Sequence, residues 1–328
     1  MTNTLTLNPA VDKVLYLSAL EKNVTSRIQM TTETIGGKGT HVSINLKLLG
    51  TNSNAFGVAY GATGKRIIDM LSQYGINVRF NYQCQGDSRT NYLLVENNGD
   101  CTVVAEKGVP ISEQDLQILI QTMQDEIQTG DTLILSGDAS NCTDSKVYNR
   151  ILRALKNKKL KVFLDTSGEY LSSCINEGPF LIKPNLNELS DLCGKKLSLN
   201  DDEIIEAIFA LDPYQIQIIA VSLGKYGSII KMPDGIYKAT PPKVNVYNTV
   251  GCGDCFLSGM IFGLNNQMDT IDTIKLATAI SSATAESALS VGFDVTRAKE
   301  LIPLVKVEKL RNFEHLVHSN PSTQGECI

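Results

Sequence analysis

The segment with the strongest chemical signal is Asn248-Thr-Val-Gly-Cys-Gly-Asp-Cys-Phe256, in which two glycines precede an aspartate at the start of an apolar run. Gly251 and Gly253 permit a tight turn into a helix that contains Phe256–Leu264, and the free amides of a first helical turn attract an anion. Asp254 would lie beside these amides, held ionised by them. The pattern predicts a general base that takes a proton from a hydroxyl while the amides bind a phosphoryl group. A plain helix-N-terminal aspartate is the alternative.

The two cysteines of this segment allow a second interpretation. Cys252 and Cys255 form a C-x-x-C pair, and His315 with His318 would supply the other half of a zinc site. About 60 residues separate the two pairs, far more than a zinc finger has. A thiol redox pair is another option, although thioredoxin-like folds are much shorter. The plainest interpretation is small side chains in a tight turn that follows a strand over Lys243–Tyr247.

A second glycine-rich segment, Gly36-Gly37-Lys38-Gly39-Thr40-His41, joins an extended stretch to a helix. It lacks the spacing of a Walker A loop. Gly37 lets a ligand approach the backbone, and Lys38 supplies a point charge suited to phosphate. The segment therefore predicts an anion-binding turn, with a flexible turn and a solvated lysine as the alternative.

Three further polar residues are candidates for binding. Asp12 follows the first predicted strand, at the edge where open α/β sheets bind ligands, and is placed to bind sugar hydroxyls or to be a turn residue. Arg89 and Asn91 stand at the base of a predicted hairpin and offer a guanidinium and an amide. Arg89 fits equally well as a surface strand residue, and it forms a phosphate-binding pair with Lys38 only if the fold brings the two together.

Two later segments begin directly after predicted strands. Lys183-Pro-Asn-Leu-Asn-Glu188 opens a helix, with Asn185 and Glu188 on one face. These two side chains would hold Mg²⁺-bound waters near nucleotide phosphates, or form a plain capping box. Ser222-Leu-Gly-Lys-Tyr-Gly227 contains a Gly-x-x-Gly turn that is either nucleotide-facing backbone or a simple hairpin turn.

Strand-like and helical patterns alternate along the whole chain, which is typical of an α/β fold with parallel strands. One helix ends at Gly50, and another begins at Ser112 with a capping-box-like pattern and runs toward Gln128. Strands are predicted over Thr4–Leu7, Asn54–Val58, Thr132–Leu135, Lys161–Leu164, Phe180–Ile182 and Ile216–Val221.

Two regions break this rhythm. Val14–Ile35 and Arg89–Lys107 have hairpin patterns, the second around the turn Asn97-Asn98-Gly99-Asp100. Neither is apolar enough for a core of its own, so we expect them to form one small β appendage, suited to act as a lid. We expect a main domain of residues 1–311, with this appendage made from about 11–36 and 86–107, and a polar tail of residues 312–328.

Composition excludes several classes of function. The 30 basic and 35 acidic residues give a net charge of −5, so no overall field attracts nucleic acid or anionic lipid. Tryptophan is absent and aromatic residues make up 6%, which disfavours single-stranded nucleic-acid binding. The chain shows neither a leader nor an apolar run long enough to span a membrane, so we expect a cytoplasmic protein. Its eight scattered cysteines are expected to be mostly reduced.

The order of these motifs along nearly the whole chain resembles that of the ribokinase-like (phosphofructokinase B-type) carbohydrate kinases. The resemblance is greatest to the branch with 1-phosphofructokinase and tagatose-6-phosphate kinase. The segments that carry it are Thr6-Leu-Asn-Pro-Ala-Val-Asp12, Gly36-Gly-Lys-Gly39, Ser88-Arg-Thr-Asn91, Leu164-Asp-Thr-Ser-Gly168, Lys183-Pro-Asn-Leu-Asn-Glu188, Val221-Ser-Leu-Gly224 and Thr249-Val-Gly-Cys-Gly-Asp254.

The resemblance implies a doubly wound, mostly parallel central sheet flanked by helices, with a small β-sheet lid that forms a homodimer contact. It implies ATP- and Mg²⁺-dependent phosphorylation of a ketohexose phosphate, with Asp254 as base and Gly251, Cys252 and Gly253 in the anion hole. The residues implied to hold the sugar phosphate are Asp12, Gly37, Lys38, His41, Arg89 and Asn91. Those implied to contact ATP are Lys183, Asn185, Ser222, Gly224, Gly227 and Gly253, with Asn185 and Glu188 arranging Mg²⁺ through water.

The chain departs from the family pattern at three places. His41 stands where a sugar-contacting asparagine is usual, Ser136-Gly-Asp-Ala-Ser replaces the usual Ser-Gly-Ser-x-Pro, and Cys252 replaces the commoner alanine. The expected reaction converts fructose 1-phosphate to fructose 1,6-bisphosphate. Tagatose 6-phosphate is the alternative substrate, followed by an unphosphorylated sugar or nucleoside. Because of His41 and Asp138, a sugar-phosphate-binding regulatory protein without turnover is a further alternative.

Overall fold

The structure is a computed structural model that describes residues 1–313. Its strands are β1 (Thr2–Thr6), β2 (Ala10–Leu17), β3 (Met30–Gly36), β4 (Ser53–Tyr60), β5 (Asn77–Gln83), β6 (Arg89–Glu96), β7 (Cys101–Ala105), β8 (Thr132–Ser136), β9 (Lys161–Asp165), β10 (Leu181–Ile182), β11 (Ile218–Ser222), β12 (Ser228–Met232), β13 (Gly235–Thr240) and β14 (Lys306–Asn312). Its helices are α1 (Lys38–Leu48), α2 (Gly61–Gln73), α3 (Glu113–Glu126), α4 (Val147–Ala154), α5 (Gly168–Cys174), α6 (Leu186–Cys193), α7 (Asp201–Ala210), α8 (Cys252–Asn265), α9 (Thr270–Ala285) and α10 (Val295–Leu301).

The larger sheet has the strand order β14-β13-β12-β11-β10-β9-β8-β1-β4-β5. From β11 to β5 every neighbouring pair is parallel, whereas β12, β13 and β14 are antiparallel. The chain builds outward from β1 in one direction and then from β8 in the other. This switch between β1 and β8 opens a crevice at their carboxyl ends, where doubly wound sheets bind ligands.

Both faces of the larger sheet are buried, because successive residues of its strands pack against helices on opposite sides. Leu133 and Leu135 belong to the same buried cluster as residues of α3, α4, α5 and α7, while Ile134 between them belongs to a cluster with residues of α1, α8 and α9. Near-continuous apolar strands of this kind are typical of parallel sheets covered on both faces. The predicted α/β fold class with a mostly parallel central sheet is confirmed.

The smaller sheet has the order β3-β2-β6-β7. Strands β2 and β3 pair antiparallel, as do β6 and β7, and the two hairpins join through parallel pairing of β2 with β6. The turn at residues 97–100 has the predicted position, with the Gly99 amide donating to the Glu96 carbonyl. This sheet places residues of β2 and β6 over the crevice at the carboxyl ends of β1 and β8.

Most predicted elements occur with ends shifted by one or two residues. The helix after Ser112 is α3, and the Ser112 hydroxyl accepts a hydrogen bond from the Asp115 amide as the capping pattern predicts. The predicted strand over Lys243–Tyr247 is wrong, since residues 241–251 have no regular structure. Strand β14 already pairs with the outer edge of β13, so that edge is not available to this segment. The Tyr247 amide instead donates to the Ala285 carbonyl.

The two ends of the described chain complete the larger sheet. Strand β1 lies in its interior, between β8 and β4, and β14 forms one edge and ends at Asn312, so the expected domain boundary at residue 311 falls within β14. The rest of the expected tail, including His315 and His318, lies outside the described residues. Among the helices of residues 1–313, none combines the length and apolar character that a membrane span requires.

Candidate active site

A cavity of about 320 Å³ lies at the carboxyl ends of β1 and β8, between the two sheets. Pockets of this size and position commonly bind small molecules. Its lining brings together all six predicted substrate-binding residues, although they are far apart in sequence. The lining residues are Thr6, Asn8, Asp12, Gly37, Lys38, His41, Arg89, Asn91, Leu93, Val103, Gly137, Asp138, Lys183, Val250, Gly251, Gly253 and Asp254.

The start of α8 forms one wall of the cavity. Gly251 precedes the helix with φ +83°, and a Cβ there would lie 2.1 Å from the Ser290 carbonyl oxygen, so both the turn and the close approach require glycine. The amides of Gly253 and Asp254 make no hydrogen bond to other residues of the described chain. Two free donors at a helix N-terminus provide a binding site for an anion.

Asp254 lies in this first turn, buried but in contact with the cavity. Its Oδ2 is 2.7 Å from Nδ1 of His41, a residue of the first turn of α1 that is 213 positions away. The second ring nitrogen, Nε2, is 2.8 Å from the Ile35 carbonyl oxygen. Both ring nitrogens of His41, which we expected to contact the sugar, thus have partners within the protein, while one carboxylate oxygen of Asp254 stays available to the cavity.

Two lysines lie close to the free amides. Lys38 Nζ is 3.1 Å and Lys183 Nζ is 3.2 Å from the same oxygen, Oδ1 of the buried Asp165. A Cβ added at Gly253 would be 3.2 Å from Lys183 Nζ, which places this ammonium over the first turn of α8. Burial disfavours the Asp165 charge, but Lys183 and Lys38 outweigh burial and lower the pKa of its carboxyl. The three residues form a cationic cluster that can face an anion.

Asp165 was not among the predicted site residues. It is the last residue of β9, at the same edge of the sheet as the cavity. An aspartate directly after a predicted parallel strand is a pattern from which this site residue could have been predicted. Its negative charge also raises the pKa of Lys38, which therefore stays protonated at neutral pH.

Asp12 and Asn91 face each other across the smaller sheet. Asp12 is a buried residue of β2, so its interpretation as a turn residue is wrong. Its Oδ1 accepts a hydrogen bond from Asn91 Nδ2 at 2.8 Å, and its Oδ2 accepts one from Ser290 Oγ at 3.3 Å. Both residues line the cavity, where a carboxylate and an amide suit sugar hydroxyls.

Arg89 is buried at the start of β6, so its interpretation as a surface strand residue is wrong. The fold brings it into the same cavity as Lys38. Its guanidinium donates to the Asn8 carbonyl at 3.1 Å and to Asp138 Oδ2 at 3.1 Å. Asp138 Oδ2 also accepts from the Asn8 side chain and from Ser140 Oγ. Asp138, the departure seen in the sequence, therefore neutralises the cation that we expected to bind phosphate.

Of the residues predicted to contact ATP, Lys183 and Gly253 line this cavity, whereas Asn185, Ser222, Gly224 and Gly227 do not. An isolated bridge pairs Asn185 with Ser222, so the start of α6 runs along the end of β11. Asn185 and Glu188 form the capping box, with the Asn185 amide donating to Glu188 Oε2 at 2.8 Å and the Glu188 amide donating to Asn185 Oδ1 at 2.9 Å. Gly224 and Gly227 follow Ser222 and both have positive φ, in a short turn that leads into β12.

Cys252 and Cys255 lie in the first turn of α8, where burial raises the pKa of the Cys252 thiol to about 12 and that of the Cys255 thiol further. Protonated thiols are poor nucleophiles and poor metal ligands. Within residues 1–313 no group of three or more His, Cys, Asp or Glu side chains is arranged to hold a metal ion. The two histidines of the zinc hypothesis lie outside the described residues.

A family model described as "pfkB family carbohydrate kinase" matches residues 5–292. The chain is 31% identical over 310 residues to 1-phosphofructokinase of Bacillus subtilis, which covers 94% of this chain and 100% of that protein. It is 29% identical over 309 residues to tagatose-6-phosphate kinase of Staphylococcus epidermidis, which covers 94% and 99% of the two chains.

Solved structures agree with the sequence comparison in fold. The crystal structure of phosphofructokinase-2 from Escherichia coli with substrates and products superposes with a TM-score of 0.86 over 92% of this chain and 98% of that chain. The sequence identity is 23%, so this similarity concerns the fold alone.

Proposed function

Because the chain belongs to the pfkB family of carbohydrate kinases, we propose that it transfers the γ-phosphoryl group of ATP to a ketohexose phosphate. Fructose 1-phosphate, which would give fructose 1,6-bisphosphate, is the proposed substrate, and tagatose 6-phosphate is the alternative. A relative named 1-phosphofructokinase and a relative named tagatose-6-phosphate kinase each match nearly the whole chain, with similar identities of 31% and 29%. The proposal therefore depends on what the cavity can bind and do.

One observation carries the proposal. A carboxylate, two free amides and a pair of lysines converge on one side of the cavity, and Asp12 and Asn91, whose side chains suit sugar hydroxyls, lie on the other side. The amides of Gly253 and Asp254 and the ammonium groups of Lys38 and Lys183 suit the negative charge of a phosphoryl group in transfer. Asp254 lies within the same turn, where a hydroxyl placed beside that phosphoryl group comes within its reach.

The reaction then needs no covalent bond between the protein and the phosphoryl group. The attacking hydroxyl oxygen forms a bond to the γ-phosphorus of ATP, while the bond from that phosphorus to the oxygen bridging the β-phosphate breaks. ADP leaves with the electron pair of the broken bond, and the hydroxyl proton passes to the free carboxylate oxygen of Asp254. Asp12 and Asn91 orient the sugar so that the hydroxyl and the phosphorus meet in line.

We propose that ATP binds along the start of α6 and the Ser222–Gly227 turn, with its phosphates directed toward Lys183. The bridge between Asn185 and Ser222 supports this, since it brings the two segments to one edge of the sheet beside the cavity. Mg²⁺, when bound with ATP, would neutralise charge on the phosphates. The capping box uses one carboxylate oxygen of Glu188 and leaves the other, so Glu188 and Asn185 fit contacts to Mg²⁺ through water.

A substrate panel tests the proposed function. Fructose 1-phosphate, fructose 6-phosphate, tagatose 6-phosphate, free fructose and a nucleoside are each offered with Mg²⁺ and ATP, and ADP release is followed in a coupled assay. We expect the highest kcat/KM with fructose 1-phosphate and only background release with free fructose. A preference for the free sugar or the nucleoside would contradict the phosphorylated-substrate proposal, and ADP release independent of any acceptor would contradict the kinase assignment. No release at all would favour the regulatory protein.

Replacing Asp138 tests where the substrate phosphate binds. If the phosphate binds Arg89, it competes for this guanidinium with the negative charge of the Asp138 carboxylate, which accepts a hydrogen bond from it. Burial disfavours the Asp138 charge, but hydrogen bonds from Ser140 and the charge of Arg89 lower the pKa of its carboxyl, so it competes as an anion at neutral pH. We expect Asp138→Asn to lower the KM for fructose 1-phosphate by roughly 5-fold, since the variant removes a negative charge that competes with the phosphate for Arg89.

The matched control for this variant is Asp144→Asn, because Asp144 is an exposed carboxylate of the same loop whose Oδ1 accepts from the Lys146 amide. Its KM should equal that of the wild type. A raised KM in Asp138→Asn would show instead that Asp138 binds the substrate directly.

We further propose that residues 1–311 form one kinase domain and that the four-stranded sheet is its lid and its homodimer contact. The sheet contributes Asp12, Arg89 and Asn91 to the cavity, so its movement would open or close the site. Its outer strands also expose apolar side chains, among them Met30 on β3 and Val104 on β7. A symmetric contact between two lids would cover these side chains.

A further inference from the structure

We propose that His41 is a positively charged positioning residue that holds Asp254 ionised and leaves one of its carboxylate oxygens directed to the substrate hydroxyl. This inference deepens the proposed function, since it rests on Asp254 being the base of that reaction. It assigns to His41 a different role from the sugar contact that the family pattern implies.

The hydrogen-bond partners of the ring define its protonation. Nε2 faces the Ile35 carbonyl at 2.8 Å, and a carbonyl oxygen can only accept. Nδ1 faces Asp254 Oδ2 at 2.7 Å, and an ionised carboxylate also can only accept. With Asp254 ionised, both ring nitrogens therefore carry a proton, which makes the ring an imidazolium. Removal of either proton would leave a nitrogen lone pair against an oxygen less than 3 Å away.

The charges around the ring favour the same state. Asp254 on α8 and Asp12 on β2 face it from two elements, with Asp12 Oδ2 4.0 Å from Nε2, and Lys38 precedes it on α1. Burial disfavours the imidazolium, but the hydrogen bond and charge of Asp254, together with Asp12, outweigh burial and raise the pKa of His41. A buried carboxylate without a partner would be costly, so the imidazolium in turn stabilises the ionised form of Asp254.

This pairing fixes which atom is left for chemistry. His41 occupies Oδ2, so Oδ1 is the oxygen that remains for the substrate hydroxyl. With both N–H groups engaged, the ring has no donor left for the sugar, and sugar binding falls to Asp12 and Asn91. Substitution of His41 should therefore affect the rate of phosphoryl transfer more than the affinity for the sugar.

The first test is nitrogen NMR of the histidine rings in the full chain without substrates. The chain has three histidines, and the signals lost in His41→Asn identify those of residue 41. We expect both ring nitrogens of His41 to show imidazolium shifts at pH 7.5, well above the ordinary histidine pKa of about 6.5. In Asp254→Asn the acceptor charge is gone, and the ring should titrate at lower pH than in the wild type.

A neutral His41 ring at pH 7.5 in the wild type would overturn the proposal, as would identical titration in Asp254→Asn. Because these measurements need no turnover, they decide the His41 proposal even if the kinase assay fails. A kinase failure with an imidazolium at residue 41 would count against the proposed function alone.

The second test is kinetic and uses His41→Asn, which keeps a side-chain amide near the backbone. We expect kcat for fructose 1-phosphate to fall about 10-fold through misplacement of the base, with KM for the sugar within about 3-fold of wild type. In the wild type kcat should fall at high pH as the imidazolium loses its proton, and this alkaline limb should be absent from His41→Asn. ATP binding by calorimetry shows whether the variant is folded.

Two kinetic outcomes contradict the proposal. An unchanged kcat with a raised KM would assign His41 to sugar binding, and an alkaline limb that persists in His41→Asn would assign that limb to another group.

Discussion

Replacing the Asp254 carboxylate by an amide should reduce kcat by roughly 10²-fold or more, because a positioned general base typically contributes that much. Asp254→Asn keeps the size of the side chain and its place in the first turn of α8, so the two free amides beside it stay in position. The amide, however, cannot take up the hydroxyl proton. Steady-state kinetics with fructose 1-phosphate give kcat, and calorimetry with the sugar phosphate should show binding within about 3-fold of wild type.

The matched control is Asp272→Asn. Asp272 is also an aspartate in the first turn of a helix, α9, but it is exposed and does not line the cavity. If Asp254 acted only by stabilising a helix N-terminus, the two variants would lose similar amounts of stability and neither would lose turnover. Normal turnover in Asp254→Asn would therefore refute its role as base.

Truncation of Arg89 should raise the KM for fructose 1-phosphate by about 10- to 100-fold, which corresponds to the loss of one or two charge-assisted hydrogen bonds to phosphate. Arg89 is buried and fixed by the Asn8 carbonyl, so its guanidinium is already oriented toward the cavity. The KM for ATP should stay unchanged, because Asn185 and the Ser222–Gly227 turn do not line the cavity that contains Arg89. Initial rates at varied sugar phosphate and varied ATP separate the two effects.

Arg79→Ala is the matched control for this experiment, since Arg79 is half-buried on β5 and pairs with Glu126 away from the cavity. It should leave both KM values unchanged. If Arg89→Ala had the KM of the wild type for fructose 1-phosphate, the substrate phosphate would not bind at Arg89. An unphosphorylated acceptor would then become the better proposal.

The fold was largely predictable because its signals are local. Apolar strands that alternate with capped helices predict a parallel sheet, and the hairpin patterns of residues 14–35 and 89–107 predict the smaller sheet. The segment Lys243–Tyr247 has a strand-like pattern, but strand formation also needs a free edge. That edge of β13 pairs with β14, a strand more than 60 residues further along the chain. Competition for a sheet edge is a long-range property that a local pattern does not contain.

The sequence predicted which residues line the candidate site better than it predicted the contacts between them. Glycine spacing and strand ends indicated Asp254, Lys38 and Asp12, and all three line one cavity. Sequence patterns did not indicate that Asp138 neutralises Arg89 or that His41 pairs with Asp254, since these contacts join positions 49 and 213 residues apart. Both contacts occur where the chain departs from the family pattern. The departures therefore indicated which positions of the site differ, but not which residues they contact.

The product of the reaction tests the central claim most directly. Phosphorus NMR of the wild-type protein with Mg²⁺, ATP and fructose 1-phosphate should show ADP and a sugar with two phosphate esters, formed in equal amounts. ADP with inorganic phosphate, and no second ester on the sugar, would show that water accepts the phosphoryl group and would contradict the account.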